Sequence, residues 1–246
     1  LQLILSYRLS SKNQFPLPFF TALSFQYLCI MNIAQNTITL LQEIPDHVQL
    51  VAVSKTKSNK EIMQAYEVGQ RVFGENKVQD MVAKYQSLPK NIRWHMIGHV
   101  QSNKVKYMAP FVDLIHGVDS LKLLTEINKQ ALKNNRNIQC LLQLNIAEES
   151  SKFGFSEDEA VEALSLSEKL ENLEIKGLMG MATFTDNQDQ ISREFKRLKI
   201  FYDELCNDYA QLTTLSTGMS GDYHLALAQG SNMIRVGSKI FGSRNY

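Results

Sequence analysis

A lysine that directly follows a short apolar run is the first residue of this sequence with the means to do covalent chemistry. The run from Val48 to Val53 is typical of a buried β-strand, and it ends in Ser54-Lys55. At the inner end of such a strand the low dielectric disfavours the ammonium form, and the neutral amine is a nucleophile that forms a Schiff base with an aldehyde. Lys55 is therefore the first candidate site residue. The alternative is an ordinary solvated lysine, which is our interpretation of Lys57 and Lys60.

Two segments near the C-terminus combine glycine with serine in a way that suits a phosphate. Gly218 to Gly221 follows one short apolar run and opens a helix, and Gly237-Ser238 follows the next run. Their backbone amides and hydroxyls, including that of Ser220, can converge on one anion, because glycine lets the backbone approach a ligand closely. The alternative for Ser220 is a plain helix N-cap.

An arginine precedes the second of these segments. Arg235 lies between Ile234 and Val236 in a predicted buried strand, where a solvated side chain is not expected. Its alternative role is a structural ion pair with a carboxylate of the same fold. A lysine that can form an imine, a phosphate cradle and an arginine on the intervening strand together predict a site for pyridoxal phosphate, because the aldehyde, the phosphate and the ring nitrogen each have a partner.

These residues need a scaffold that brings several strand ends together. After an opening helix, Asn32 to Glu43, apolar runs alternate eight times with helical stretches or turns. The predicted strands are Val48–Val53, Arg71–Phe73, Ile92–Ile97, Phe111–His116, Ile138–Ile146, Ile175–Met179, Thr214–Ser216 and Met233–Val236. The pattern predicts a single-domain (β/α)₈ TIM barrel, whose sites lie at the C-terminal strand ends. A doubly wound sheet with a different number of strands is the alternative.

Composition and charge exclude several function classes. The chain has 246 residues, with 26 Lys+Arg, 25 Asp+Glu and a formal charge of +1, so we expect neither nucleic acid nor an anionic membrane as a partner. No apolar stretch is long enough to span a bilayer.

Cys29, Cys140 and Cys206 are widely spaced and odd in number, which favours a reducing compartment over a disulfide framework. His95 and His99 have no evident third ligand, so we expect no metal site.

The first thirty residues differ from the rest of the sequence. They contain no Asp, Glu or Gly, and they show neither helical nor alternating periodicity. Pro16 and Pro18 interrupt the apolar part, which argues against a signal peptide, the alternative interpretation. We therefore interpret residues 1–30 as a disordered or wrongly assigned extension, and residues 31–246, starting at Met31, as the folded domain.

Several motifs, in order along the chain, carry a resemblance to a known family. They are Val51-Ala-Val-Ser-Lys-Thr-Lys57, Phe73-Gly-Glu-Asn76, Trp94-His-Met-Ile-Gly-His99 with Gln101-Ser-Asn-Lys104, Ser216 to Asp222, and Ile234-Arg-Val-Gly-Ser238 through Phe241-Gly242. From Met31 to Tyr246 the sequence resembles the pyridoxal phosphate homeostasis proteins, also called the YggS or PROSC family. One departure is Thr217, where methionine is more usual; it affects the packing of the wall more than phosphate binding.

The resemblance implies a barrel like the N-terminal domain of alanine racemase, the fold-type III architecture for pyridoxal phosphate, with the cofactor bound as a Schiff base to Lys55. It implies that Arg235 faces the pyridine nitrogen and that Asn76 lies near the ring. The residues implied to contact the phosphate are Ser220, Gly237 and Ser238. It also implies a non-enzymatic cytoplasmic carrier or regulator of the vitamin B6 pool, with pyridoxal phosphate-dependent apo-enzymes as candidate partners. We expect a monomer.

Two enzyme classes are alternatives. A pyridoxal phosphate-dependent racemase or decarboxylase needs a second domain that supplies an opposing acid or base and excludes water. Only four residues follow Gly242, so we expect no such domain. A Schiff-base aldolase would use Lys55 and the phosphate site for a sugar phosphate, and it would lack the visible absorption of a cofactor imine.

Overall fold

The strands form a closed parallel barrel. The structure, a computed structural model, describes residues 33–148 and 153–242, so the predicted extension over residues 1–30 lies outside it. Each strand pairs with the next and β8 pairs with β1, which confirms the eight-stranded barrel and rules out the open sheet. The strands are β1 Gln49–Val53, β2 Val72–Glu75, β3 Arg93–Met96, β4 Leu114–Val118, β5 Ile138–Leu144, β6 Leu173–Gly180, β7 Thr214–Ser216 and β8 Met233–Val236.

Helices surround the barrel, and several begin at side-chain caps placed soon after a strand. Ser58 and Ser156 each form a reciprocal capping box with the glutamate three residues later, while Ser120 and Asn187 accept a backbone N–H of their helices. The helices are α1 33–43, α2 Asn59–Glu67, α3 Val78–Ser87, α4 Val105–Met108, α5 Leu121–Lys133, α6 Glu157–Ser167, α7 Gln188–Asp208, α8 Tyr223–Ala228 and α9 Ser238–Phe241. Every helix in the described ranges falls short of the length or hydrophobicity that a membrane span requires.

Strand alternation divides the apolar residues between two sides of the barrel wall. A small cluster fills the barrel interior, and a much larger one lies between the barrel and the helices. On β1, Val51 belongs to the interior cluster, whereas Leu50 and Ala52 belong to the outer one. Because successive strand side chains point to opposite faces, this alternation decides which residues reach the centre of the barrel.

The predicted strand bounds are most accurate for the last two strands. β7 and β8 have the predicted ends, whereas β4 begins at Leu114 and not at Phe111. Phe111 lies before the strand, and its ring stacks on Tyr85 of α3 at a centroid distance of 3.9 Å. The apolar run there combines a helix-packing residue with a strand, and periodicity alone does not separate the two.

Candidate functional site

Lys55 lies two residues beyond the end of β1, at the carboxyl end of the barrel strands. Its side chain is half-buried, and the next residue, Thr56, has a φ of 67°. A β-branched residue in this left-handed region is uncommon and costs about 1 kcal/mol or more, so surrounding contacts must hold the turn in place. The Lys57 amide donates to the Ser54 carbonyl at 3.0 Å and closes the turn around Lys55.

A buried ion pair outside the barrel wall anchors this turn. The Lys84 Nζ of α3 lies 2.7 Å from Glu75 Oε1 and donates to the Ser54 carbonyl at 2.9 Å. The Ser54 hydroxyl donates to the same carboxylate oxygen at 2.6 Å. Ser54 therefore faces the helix layer, and the turn that carries Lys55 is held from that side. Burial raises the pKa of Glu75, and the Lys84 ammonium and the Ser54 hydroxyl counteract that rise.

Arg235 extends into the barrel from β8. Its strand neighbours at 234 and 236 belong to the outer cluster, and the side chain is only 4% exposed. Nη1 donates to the carbonyl and hydroxyl oxygens of Ser216 at 2.9 and 2.7 Å, and Nη2 donates to the Gly180 carbonyl at 3.0 Å. Burial lowers the pKa of Arg235 to about 10, with Asp222 acting in the opposite direction, so the guanidinium remains charged at neutral pH. Within the described residues, no carboxylate forms an ion pair with Arg235, so its alternative role is not observed.

The segments after β7 and β8 meet above Arg235. The Gly237 amide donates to the Ser220 hydroxyl at 3.1 Å, which joins the two segments that the sequence suggested as one cradle. A Cβ on Gly237 would lie 3.3 Å from the Val53 carbonyl, so glycine lets this segment pack closely against the end of β1. Ser238 follows at the start of α9 and is exposed.

A glycine turn shapes the cradle on the β7 side. Gly218 has a φ of 88°, and a Cβ there would lie 2.9 Å from the Tyr223 Cα. The Gly218 carbonyl accepts the Arg235 amide at 3.0 Å, and Asp222 accepts the Met219 amide. Asp222, and not Ser220, is the N-cap residue of α8, so the N-cap interpretation of Ser220 was wrong. The Ser220 hydroxyl is directed instead at the second segment.

Asn76 lies at the end of β2, on the same side of the barrel. It is exposed, and a Cβ on Gly98 would lie 2.7 Å from its carbonyl oxygen, so the ends of β2 and β3 are in close contact. The structure thus places all six predicted site residues at the carboxyl ends of β1, β2, β7 and β8. Gly237, after β8, contacts both Ser220, after β7, and the end of β1. Asn76 follows β2, the strand next to β1.

Sequence patterns do not mark Glu75, Lys84, Ser216 or His116 as site residues. Glu75 and Lys84 pair across two elements, and Ser216, which could simply have finished a strand, binds Arg235. His95 and His116 lie 3.0 Å apart inside the barrel, whereas His99 pairs with Asp119 at the mouth. His95 and His99 therefore do not share a site. The described residues contain no cluster of three or more His, Cys, Asp or Glu side chains that could hold a metal ion.

Comparisons with known proteins agree with this geometry. The family model for the N-terminal domain of alanine racemase matches residues 29–245. The pyridoxal phosphate homeostasis protein of Vibrio alginolyticus is 41% identical over 208 residues, which cover 82% of this chain and 89% of that protein. The protein of the same name from Escherichia coli K12 is 36% identical over 209 residues, covering 82% and 88%.

Solved structures give the same result. The structure of PipY from Synechococcus elongatus PCC7942 with PLP bound has a TM-score of 0.79 and 35% identity, and the match covers 85% of this chain and 100% of PipY. Alanine racemase from E. faecalis has a TM-score of 0.68 at 15% identity, with 58% of that chain covered, and shares the fold alone. Because the family model and relatives at 41% and 36% identity both cover most of its length, this chain belongs to the family of pyridoxal phosphate homeostasis proteins.

Proposed function

We propose that this protein binds pyridoxal 5'-phosphate, as a Schiff base on Lys55, and acts in the intracellular homeostasis of that cofactor. The observation that carries the proposal is the convergence of three chemically different groups at one end of the barrel. An amine follows β1, a hydroxyl–amide cradle joins the ends of β7 and β8, and a buried guanidinium lies below them. The relatives' names and the cofactor in PipY support the same assignment.

Lys55 is suited to the aldehyde. When bound, pyridoxal phosphate supplies an aldehyde that a lysine amine captures as an imine. The ion pair of Glu75 and Lys84 fixes the preceding residue from outside, so the amine is presented without a large loss of backbone entropy. Asn76, at the neighbouring strand end, is the residue we assign to the edge of the ring.

Arg235 is suited to the ring nitrogen. A guanidinium has five N–H donors and no acceptor, and here three hydrogen bonds to internal oxygens fix its plane. A donor facing the pyridine nitrogen keeps that nitrogen unprotonated, which weakens the ring as an electron sink. This arrangement favours carrying the cofactor over driving carbanion chemistry.

The phosphate belongs in the cradle. Ser220 and Ser238 offer hydroxyl donors in two adjacent segments, and the Gly237 amide joins these segments by donating to the Ser220 hydroxyl. The formal charge of the chain is only +1, so a bound phosphate needs local hydrogen-bond donors of this kind. The low net charge therefore agrees with a small anionic ligand and not with a polyanion.

The remaining assignments follow from this role. The curated relatives are named homeostasis proteins, which agrees with a carrier or regulator and does not favour a racemase or decarboxylase. We assign the protein no catalytic turnover, a cytoplasmic location and a monomeric state, with residues 31–246 as the cofactor-binding domain. Delivery of the cofactor to dependent apo-enzymes is the partner interaction that this role implies.

A visible spectrum tests the proposal. Purified protein with added pyridoxal phosphate should acquire a visible band that borohydride abolishes, and Lys55→Ala should not acquire it. Lys60→Ala, an exposed lysine on α2, is the matched control and should behave like the wild type. Absence of the band in the wild type would overturn the cofactor assignment, and a reducible band in Lys55→Ala would exclude Lys55 as the imine lysine.

A further inference from the structure

A continuous row of polar side chains crosses the barrel interior from Arg235. Its Nη1 donates to the Ser216 hydroxyl at 2.7 Å, and that hydroxyl lies 3.3 Å from His116 Nδ1. His116 Nε2 lies 3.0 Å from His95 Nδ1, and His95 Nε2 lies 3.3 Å from the carboxylate of Asp113. Five side chains from β8, β7, β4, β3 and the turn before β4 are thus joined end to end.

The inner four members of this row are almost fully buried. Arg235, His95, Ser216 and His116 are between 0 and 4% exposed, whereas the Asp113 side chain is 41% exposed. An unpaired polar group at such depth destabilises the fold, so the row is favourable only when its links are made. Burial lowers the pKa of both histidines, so their rings are neutral at neutral pH.

Because both histidine rings are neutral and the Asp113 carboxyl group is ionised, only one arrangement of the ring and hydroxyl protons makes every hydrogen bond in the row. The hydrogen bond from His95 holds the pKa of Asp113 below its usual range, so this carboxylate accepts only and His95 carries its proton on Nε2. His95 Nδ1 must then accept from His116 Nε2. That leaves His116 Nδ1 as the acceptor of the Ser216 hydroxyl, whose oxygen accepts from Arg235. Each donor has one acceptor, and all point from Arg235 towards Asp113.

We propose that His116 is a positioning residue for the cofactor: through Ser216 it holds the Arg235 guanidinium towards the ring nitrogen, with His95 and Asp113 fixing its tautomer. The inference rests on the proposed function. Without an acceptor at position 116, the Ser216 hydroxyl has no fixed direction, and the guanidinium loses the support of a polarised row. The proposal therefore makes the cofactor site, at the carboxyl ends of the strands, dependent on the Asp113 carboxylate at the other end of the barrel.

Two nearly isosteric substitutions separate this role from simple packing. His116→Asn places a carbonyl oxygen near the position of Nδ1 and keeps an acceptor for Ser216, whereas His116→Leu has a similar branched shape without one. Because leucine fills a similar volume, a role limited to filling space predicts that the leucine variant retains cofactor at least as well. The proposed row of hydrogen bonds from Arg235 to Asp113, called the relay below, predicts the reverse. Cofactor loss should be roughly tenfold faster for His116→Leu than for His116→Asn.

The experiment measures cofactor loss and the visible band after removal of free pyridoxal phosphate. Leu114→Ala, two residues earlier on β4 and in the interior cluster, controls for a general loss of core stability. Equal loss rates for the two His116 variants, or a His116→Leu rate no faster than that of Leu114→Ala, would overturn the relay. If both His116 variants fail to fold, Ser216→Ala removes the link next to Arg235; wild-type retention there would equally overturn it.

A readout without cofactor separates the two proposals. Nitrogen NMR of histidine-labelled apo protein should show both buried rings neutral, with His95 and His116 each protonated on Nε2. The opposite tautomer on either ring contradicts the relay whatever the protein binds. A wild type that shows these tautomers but never acquires a reducible visible band instead overturns the proposed function, and with it the role of the relay in cofactor binding.

Discussion

Replacing Lys84 by methionine should reveal how strongly the turn that carries Lys55 is anchored from outside the barrel. The Lys84 side chain is 11% exposed and its partner Glu75 is 0% exposed, with 2.7 Å between Nζ and Oε1. Methionine keeps much of the volume and removes the charge. Glu75 would then retain only the Ser54 hydroxyl, because its other oxygen, Oε2, has no hydrogen-bond partner in the described part of the chain.

The size of the effect follows from that geometry. Removing one member of a buried ion pair costs about 3–5 kcal/mol, since the other charge stays buried without compensation. For a domain of this size each kcal/mol lowers the melting temperature by about 2–4 °C, so we expect a decrease on the order of 10 °C. Glu75→Gln/Lys84→Met removes both charges and should recover most of the loss.

The loss should also depend on pH in one direction. Burial already raises the folded pKa of Glu75, and removing Lys84, which lowers it, raises it further. A carboxyl with a raised folded pKa binds its proton more tightly in the folded state, so stability is highest below the unfolded value of 4.5 and falls as pH rises towards the folded value. The deficit of Lys84→Met should therefore be smaller near about pH 5 than at about pH 7, and the double variant should not show this dependence.

Urea unfolding of the wild type, Lys84→Met and the double variant at both pH values measures these differences. Lys122→Met, at an exposed position on α5, is the control and should change the free energy of unfolding by less than about 0.5 kcal/mol. A Lys84→Met deficit below about 1 kcal/mol, or a deficit that grows as the pH falls, would refute the argument that this pair is a compensated buried charge.

Three further predictions concern the cofactor site. Gly218→Ala should destabilise the fold by about 1–3 kcal/mol in urea unfolding, because position 218 has a φ of 88° and no room for a Cβ, whereas Gly221→Ala, with nothing within 4 Å, should be near neutral. Equal effects would contradict the cradle geometry. Arg235→Ala should release pyridoxal phosphate faster in a dilution assay while leaving far-ultraviolet circular dichroism unchanged, and unaltered release would remove Arg235 from the site. Pyridoxal phosphate at 100 times its dissociation constant should stabilise the wild type by about 2.7 kcal/mol, and pyridoxal without the phosphate should stabilise it less at equal concentration; equal stabilisation would argue against the cradle.

The fold could be predicted from sequence because the barrel repeats one local pattern. Apolar runs of strand length followed by amphipathic stretches identify βα units without any tertiary information, and even the three-residue β7 was found between its turn signals. The start of β4 was less accurate, since Phe111 is apolar for a different reason, its stacking on Tyr85. Periodicity detects burial but not the partner that causes it.

The candidate site could be predicted where single residues had unusual settings. Lys55 and Arg235 stood out as charged residues at or within apolar runs, and the glycine and serine pattern marked the cradle. The supporting pairs could not be found in this way. Glu75 and Lys84 meet across a strand and a helix, and His95 meets His116 across two strands, so both contacts depend on register and helix packing that the sequence does not display.

Locating the borohydride-fixed adduct is the most direct test of the central claim. Wild-type protein incubated with pyridoxal phosphate, reduced, digested and analysed by mass spectrometry should carry the phosphopyridoxyl group on Lys55, and not on the nearby Lys57 or Lys60. Modification spread over the three lysines, or the absence of modification at Lys55 while another lysine is labelled, would contradict the account.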